Sequence, residues 1–300
     1  MDWITGIQNA INYIEDHITE ELDYEQIARE SFSSSFHFQR VFSILCGYTL
    51  GEYIRNRRLT LAGAELAGTR EKVIDVAYKY GYESPESFAK AFQKFHGVTP
   101  SQARGGGVIL KSFSRLSIKV SLEGGNVMNY RIEEKPAMLL TGFKRRFTGD
   151  PNEKKDQDHY FACETRVLLS ILEGLSREHE ITYQVLTGFG PDGYDFYFAQ
   201  QLPGWALKDF DEDLGEMAEK FEHLQIPAGQ YLVCETKQCQ FPTDLQDDLR
   251  RRIVSEWLPT SGYELRDAPE IGVIHWFWEE GNENVNNSRY CELWLPIEKK

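Results

Sequence analysis

Between Tyr24 and Gly97, apolar residues recur at steps of three and four. Phe38, Val41, Phe42 and Leu45 form one such stripe, and Phe88, Ala91, Phe92 and Phe95 form another. An i, i+3, i+4, i+7 stripe is the buried face of an amphipathic helix. The stripes are related by an offset of 50 that also lays Ser34 on Ser84, Gly47 on Gly97 and Thr49 on Thr99. The pattern therefore predicts two copies of one unit: a short helix (about 24–30, then about 71–79), a turn, and a second helix (about 35–45, then about 85–95). Ser34 and Ser84 stand at the N-caps, Pro85 suits a first helical position, and Gly47 and Gly97 are the stops. Residues 50–67 read as one connecting helix of about 27 Å, from a rise of about 1.5 Å per residue.

After residue 104 the pattern changes. Glycines bracket an alternating stretch at 105–126, which reads as a linker or as a first strand leaning on the second domain. Strand-like runs then fall at about 129–147, 183–190, 193–200, 228–237, 270–280 and 289–297, with helices near 159–178 and 243–258. The order is strand–helix–strand–strand, twice. The expected architecture is an all-α N-terminal domain with two helix-turn-helix heads (1–108), a linker (109–126), and an α+β C-terminal domain (127–300). That last domain is read as two pseudo-twofold strand–helix–strand–strand halves with a central cleft.

Composition narrows the function classes. At 41% apolar and 13% aromatic residues the chain can bury real cores. No run approaches the roughly 18 apolar residues of a membrane span, and the N-terminus lacks a basic stretch followed by an apolar one. A cytoplasmic chain without a membrane partner is expected. The five cysteines lack a C-x-x-C pair and read as reduced thiols rather than a disulfide or zinc framework. The sequence holds no G-x-S-x-G, no phosphate-cradling glycine loop, no H-E-x-x-H and no paired metal-spaced histidines, so no catalytic residue, metal or cofactor is expected. Net charge is −14, an unpromising sign for nucleic acid. It is unevenly spread, however: residues 24–108 carry 11 Lys/Arg against 8 Asp/Glu.

That local basic surplus gives the helical repeat its chemistry. The outer faces of the second helices hold Phe36, His37, Gln39 and Arg40 in one copy and Glu86, Ser87, Ala89 and Lys90 in the other. A helix, short turn and helix with hydrogen-bonding side chains outward is the form that enters a major groove, where Arg and Gln can make bidentate contacts to base edges. Heads held about 27 Å apart meet successive grooves, roughly 34 Å apart, if the DNA bends or the heads tilt. Arg55, Arg57 and Arg58 on the connector suit phosphates.

The stretch SSSFHFQRVFSILCGYTLGEYIRNRRLTLAGAEL, followed by VIDVAYKYGYESPESFAKAFQKFHGVTPSQAR, resembles the DNA-binding domain of bacterial AraC/XylS-type transcription regulators over about residues 5–104. The resemblance implies double-stranded promoter DNA and RNA polymerase as partners. It places base-facing positions on Phe36, Gln39 and Arg40, and on Glu86, Ser87 and Lys90. Glu86 departs from the most basic members: it can accept from cytosine but repels a nearby phosphate.

The second half is rich in aromatics, and one acid stands out among them. In the closing strand CELWLPI, alternation puts Leu293 and Leu295 on one face and Glu292 and Trp294 on the other. Glu292 reads either as a solvated edge or as a pocket carboxylate ringed by aromatics, the arrangement that suits an organic cation. Tyr160, Tyr197, Trp257 and Trp276 join it as ligand-binding candidates from the aromatic inventory. The segments NYRIEEKPAMLLTGF, IPAGQYLVCE, EWLPTSGYEL and ELWLPI resemble the GyrI-like small-molecule-binding domain, also seen as the effector domain of Rob- and BmrR-type regulators. That resemblance implies a cleft for hydrophobic, often cationic compounds (multidrug binding), with its pocket glutamate on Glu292 and a pocket-facing residue on Trp294. Some stand-alone relatives are hydrolases. The leading expectation is a transcription regulator, not an enzyme, that senses a small amphiphilic or cationic effector. Two alternatives stand beside it: a hydrolase with Glu292 as general base, and an acidic protein-binding module fused to a DNA-binding domain.

Overall fold

The computed structural model describes residues 3–31, 33–118, 128–147, 165–176, 180–277 and 283–300. They fall into two compact units, one comprising residues 1–42 and 48–122, the other built on residues 123–300.

The first unit is helical: α1 (Trp3–Asp16), α2 (Tyr24–Glu30), α3 (Ser35–Cys46), α4 (Leu50–Gly68), α5 (Val73–Lys79), α6 (Pro85–His96) and α7 (Pro100–Gly105). The expected repeat is present down to its caps. Ser34 and Ser84 each accept the amide of the residue three further on, at 3.3 and 3.1 Å. Gly47 and Gly97 both have φ of 80°, the left-handed conformation that glycine adopts without a Cβ penalty. Thr49 and Thr99 close capping boxes with Glu52 and Gln102. The turns match as well, with Ser33 and Tyr82 donating to Ala28 and Ala77. Phe38, Phe42, Phe88 and Phe92 are buried in their heads. The connector α4 is also core: Leu59, Ala62 and Leu66 pack with Val76, Phe88 and Phe92, while Tyr53 lies edge-on to Phe42. The α1 helix lies outside the expected repeat and buries Ile7, Ala10, Ile11 and Ile14.

Residues 108–118, within the expected linker region, run extended along this unit, tied down by its side chains. The amide of Lys111 donates to His96 Nδ1, that of Phe113 to Thr60, that of Leu116 to the Tyr53 hydroxyl and that of Ile118 to Gln8.

The second unit holds strands β1 (Tyr130–Lys135), β2 (Met138–Phe147), β3 (Ile181–Gly190), β4 (Gly193–Gln200), β5 (Glu222–Ile226), β6 (Gly229–Glu235), β7 (Tyr263–Leu265), β8 (Glu270–His275) and β9 (Tyr290–Lys299). Its principal helices are α8 (Arg166–Ser176) and α9 (Gln246–Arg252). The expected run at 129–147 is in fact two strands broken at Pro136-Ala137, because proline has no amide for the ladder. The expected helix at 243–258 is α-helical only over Gln246–Arg252, with a wider turn at Ile253–Trp257.

All pairings are antiparallel, in the order β1-β6-β9-β8-β3-β4-β2-β5, with β7 on the end of β9. This order reads the same from both ends once β1, β2, β3 and β4 are exchanged with β5, β6, β8 and β9. The expected twofold halves are therefore present, each lending its first strand to the other. Strands β1 and β2 stand first and seventh in the order, about 29 Å apart in a flat sheet of 4.8 Å spacing. Two residues join them, a span of at most about 11 Å. The sheet therefore curls, bringing its edges together at the crossings Pro136-Ala137 and Pro227-Ala228. On one face α8 packs Leu172 against Phe143, Leu186, Phe196 and Phe198, and α9 sets Arg250 on Glu270. The opposite side of the sheet is its far face.

Candidate nucleic-acid interface and effector site

The second head presents the clearest outer surface. Glu86, Ser87 and Lys90 are all exposed on α6, as expected, and Gln93 and Lys94 extend the same face by one turn. Their position three and four residues beyond Lys90 was a signal the sequence carried. The Ser87 hydroxyl donates to the Ser84 carbonyl at 2.9 Å, so it also closes the helix start. In the first head Phe36, His37 and Gln39 are half-buried, and the Gln39 amide donates to Ser35 at 3.0 Å. Arg40 is only 1% exposed, its guanidinium carbon 5.8 Å from the centre of the Phe36 ring. The expectation that Arg40 faces outward to bases therefore does not describe this conformation.

Two connector arginines are also corrected. Arg57 makes a bidentate pair with Glu15, at 2.8 and 2.7 Å, and donates to the Phe113 carbonyl at 2.7 Å. Burial alone would raise the Glu15 carboxyl. Hydrogen bonds from Arg57 and Tyr53 outweigh it and hold the group below the usual carboxylate range. Arg58 donates to the carbonyls of Ile18 and Glu20 at 2.8 and 2.6 Å. Both guanidinium groups tie α4 to the α1 end of the unit, which a reading of the connector alone could not reveal. Arg55 is exposed.

In the second unit, the ladder registers define two adjacent rows across the far face. One runs Lys144, Tyr197, Val185, Ile271, Trp294, Val233, Arg131; the other runs Glu222, Gly142, Ala199, Tyr183, Val273, Glu292, Glu235. Glu292, Trp294 and Tyr197 thus share a face. Trp257 and Trp276 do not: Trp257 packs on Tyr130, and Trp276 donates to Thr182, both on the opposite face. Those two candidates are corrected, since β alternation sends their partners away from Glu292. Tyr160 lies outside the described residues.

Glu292 is held rather than open. Its Oε1 accepts from Arg131 at 2.7 Å and its Oε2 from the Trp294 indole at 2.7 Å. Arg131 also bonds Glu133 and Glu235, so one guanidinium serves three carboxylates. The hydrogen bond to Glu235 is the largest cause holding Arg131 in its charged form, ahead of the opposing burial. Without Arg131, Glu235 and Glu292 would face each other as like charges across neighbouring strands. Lys135 pairs with Glu133 and sets its ammonium 4.0 Å from the centre of the Trp294 ring. In the first half, Tyr197 donates to Glu222 at 2.9 Å, and Lys144 reaches Glu222 at 3.1 Å. The sequence reading missed Arg131, Glu133 and Lys135, although their period of two placed them on one face of β1.

Comparisons with known proteins fit these two units. A helix-turn-helix domain family matches residues 27–106, and a family described as integron-associated effector binding protein matches 193–297. The transcriptional activator AarP of Providencia stuartii is 43% identical over 98 residues, covering 33% of this chain and 73% of that protein. Regulatory protein SoxS of Escherichia coli K12 is 39% identical over 98 residues, 33% of this chain and 92% of SoxS. Among solved structures, an integron cassette protein from the mobile metagenome of Vibrio cholerae aligns with 56% of this chain and 95% of its own length, at 13% identity and a TM-score of 0.38. Among the described residues no helix is long and apolar enough to cross a membrane. With its paired helix-turn-helix heads and its match to relatives spanned over most of their length, this chain belongs to the AraC-type DNA-binding transcription regulators, and it carries an effector-binding domain behind its DNA-binding half.

Proposed function

We propose that this chain is a promoter-binding regulator whose second unit takes a small amphiphilic effector on the far face of its sheet. The observation that carries the reading is the far face itself: Tyr197, Tyr231 and Trp294 lie there among Arg131, Glu133, Lys135 and Glu292, a mixed aromatic and charged lining of the kind that orients small ligands. The exposed face of α6 reads the major groove through Glu86, Lys90 and Gln93, with Lys94 and Arg55 on phosphates. Phe36, His37 and Gln39 supply a second contact. RNA polymerase is the further partner, the cytoplasm the compartment, and the DNA-binding and effector-binding domains meet within the segment after residue 108. Glu292 serves as the partner of the far-face cations rather than as a general base, since one oxygen is bound by Arg131 and the other by the Trp294 indole.

The test uses the full chain on its own upstream DNA. Lys90→Ala should weaken binding roughly tenfold and relax specificity at one base pair, since a base contact is worth about 1–3 kcal/mol. A panel of lipophiles titrated against the chain–DNA complex should include members that shift DNA affinity. Wild-type affinity from Lys90→Ala, together with a panel that leaves DNA affinity unmoved, would overturn the proposal.

A further inference from the structure

The charge census of the far face does not favour a cation. Each of its three main aromatic rings already carries a cation of this chain. Lys135 sits 4.0 Å from the centre of Trp294, Lys144 sits 5.6 Å from that of Tyr197, and the Arg266 guanidinium carbon 5.6 Å from that of Tyr231. The carboxylates beside Trp294 are already held too: Arg131 bonds Glu133, Glu235 and Glu292, and Lys135 pairs with Glu133. An organic cation would have to evict a lysine or an arginine to reach a ring or an acid.

What this region lacks is an acceptor. Nε and Nη2 of Arg266 are buried and, among the described residues, meet no hydrogen-bond partner. These two atoms form the guanidinium edge that holds both oxygens of a carboxylate, and Arg57 uses the same pair on Glu15 at 2.8 and 2.7 Å. The place of the group is built: Gly229, at φ of 154°, lies so close that a Cβ there would stand 2.6 Å from Arg266 Nη2. Tyr231 lies against the guanidinium, and the Trp294 ring lies 6.3 Å from Tyr231. A donor edge taken out of water without an acceptor is costly, and a ligand that brings one recovers that cost.

We propose that Arg266 anchors the effector and that the effector is a small aromatic carboxylate, its two oxygens on Nε and Nη2 and its ring system along Tyr231 and Trp294. This rests on the far face being the effector site. It names the ligand class and departs from the cationic compound expected from the sequence. Because both donor atoms are shut off from solvent, binding entails a local rearrangement of the groups that cover them.

Size-matched probes decide it: 2-naphthoate, 2-naphthamide and N-methylquinolinium, titrated by calorimetry into the full chain. Naphthoate should bind about tenfold or more tighter than the other two, the value of one charge-assisted hydrogen-bonded anchor. Arg266→Gln should abolish that preference, and Arg266→Lys should restore only part of it. Among the described residues Arg266→Gln removes no side-chain hydrogen bond, so circular dichroism should show an unchanged fold; Gly229→Ala crowds Nη2 of the guanidinium and should also lose naphthoate. Naphthoate binding that survives Arg266→Gln overturns the proposal. So does a preference for N-methylquinolinium that vanishes in Glu292→Gln, which would leave the effector site itself intact. If none of the three binds while the wider lipophile panel still shifts DNA affinity, only the carboxylate is overturned; if that panel fails too, the effector reading falls with it.

Discussion

Both units are built from internal repeats, but the two repeats are written differently. In the helical unit, equivalent positions keep the same residue: serine at the cap, glycine at the stop, threonine at the next cap and phenylalanine in the core. In the sheet unit, equivalent positions share almost nothing. The twofold exchange of the two far-face rows sets Tyr197 against Glu292, Lys144 against Glu235, Glu222 against Arg131, and Ala199 against Trp294. Along the two rows Val185 and Val273 repeat, and beyond them Pro136-Ala137 and Pro227-Ala228 repeat at the two crossings. Helix ends demand particular side chains because their free amides and carbonyls must be met locally. Sheet pairing is a backbone matter, so side chains on a face are released for other work. The helical repeat therefore keeps a frame, and the sheet repeat has diverged into a site.

The largest effect expected from that contrast lies in the helical frame. Phe38→Ala and Phe88→Ala should each cost about 3–5 kcal/mol, since both rings are buried at equivalent places. Urea unfolding of the two variants tests the equivalence, and a loss confined to one head would break it. In the sheet the opposite holds. Gly142 is the twofold mate of Val233, yet a Cβ at Gly142 would lie 2.5 Å from the Phe198 carbonyl oxygen. Gly142→Val should therefore cost about 1–3 kcal/mol through overpacking, although the equivalent place already holds valine. A neutral result in the same unfolding assay would mean that the halves are more alike than their rows suggest.

The smallest effect is a pH dependence that the helical frame owes to one head only. His96 is buried, its Nε2 2.9 Å from the Leu59 carbonyl and its Nδ1 accepting the Lys111 amide, so the ring is neutral. Burial, with Lys111 nearby, lowers its proton affinity, against a smaller opposing pull from Leu59. The unfolded chain takes up that proton near the ordinary histidine value of 6.5, whereas the folded chain does so only at lower pH. Stability from this group is thus present above that value and is lost as pH falls below it, through the folded value. In the first head the equivalent place holds Cys46, whose thiol burial pushes up to about 12, so it does not titrate there. Thermal melts of wild type and His96→Gln between pH 7.5 and about 5 should converge at the acid end; parallel curves would remove His96 as the source.

The same division explains what could be read from the sequence. Caps, stops and the phenylalanine stripes were legible because each acts within a few residues. Arg57 and Arg58 were not, because their partners Glu15, Ile18 and Glu20 lie about forty residues away, and an arginine on a helix reads alike whether it meets a phosphate or a carboxylate. Glu292 and Trp294 were found from alternation within one strand, whereas Arg131 becomes their neighbour only once the strand order is known. Trp257 and Trp276 were counted by ring type alone, and a count says nothing about which side of a sheet a ring takes.

The lacing of residues 108–118 bears on where this chain can be cut. Ending a DNA-binding fragment at residue 108 would take the Phe113 carbonyl from Arg57 and strip the Tyr53 hydroxyl, Thr60, Gln8 and His96 Nδ1 of the amides they accept. It would also uncover the side of α4 on which Phe113 lies against Tyr48 and Tyr53. The smallest fragment that keeps these groups satisfied ends at Ile118. In hydrogen exchange, the amides of Lys111, Phe113, Leu116 and Ile118 should be protected together although no neighbouring strand pairs with them, their slow exchange reporting the grip of individual side chains.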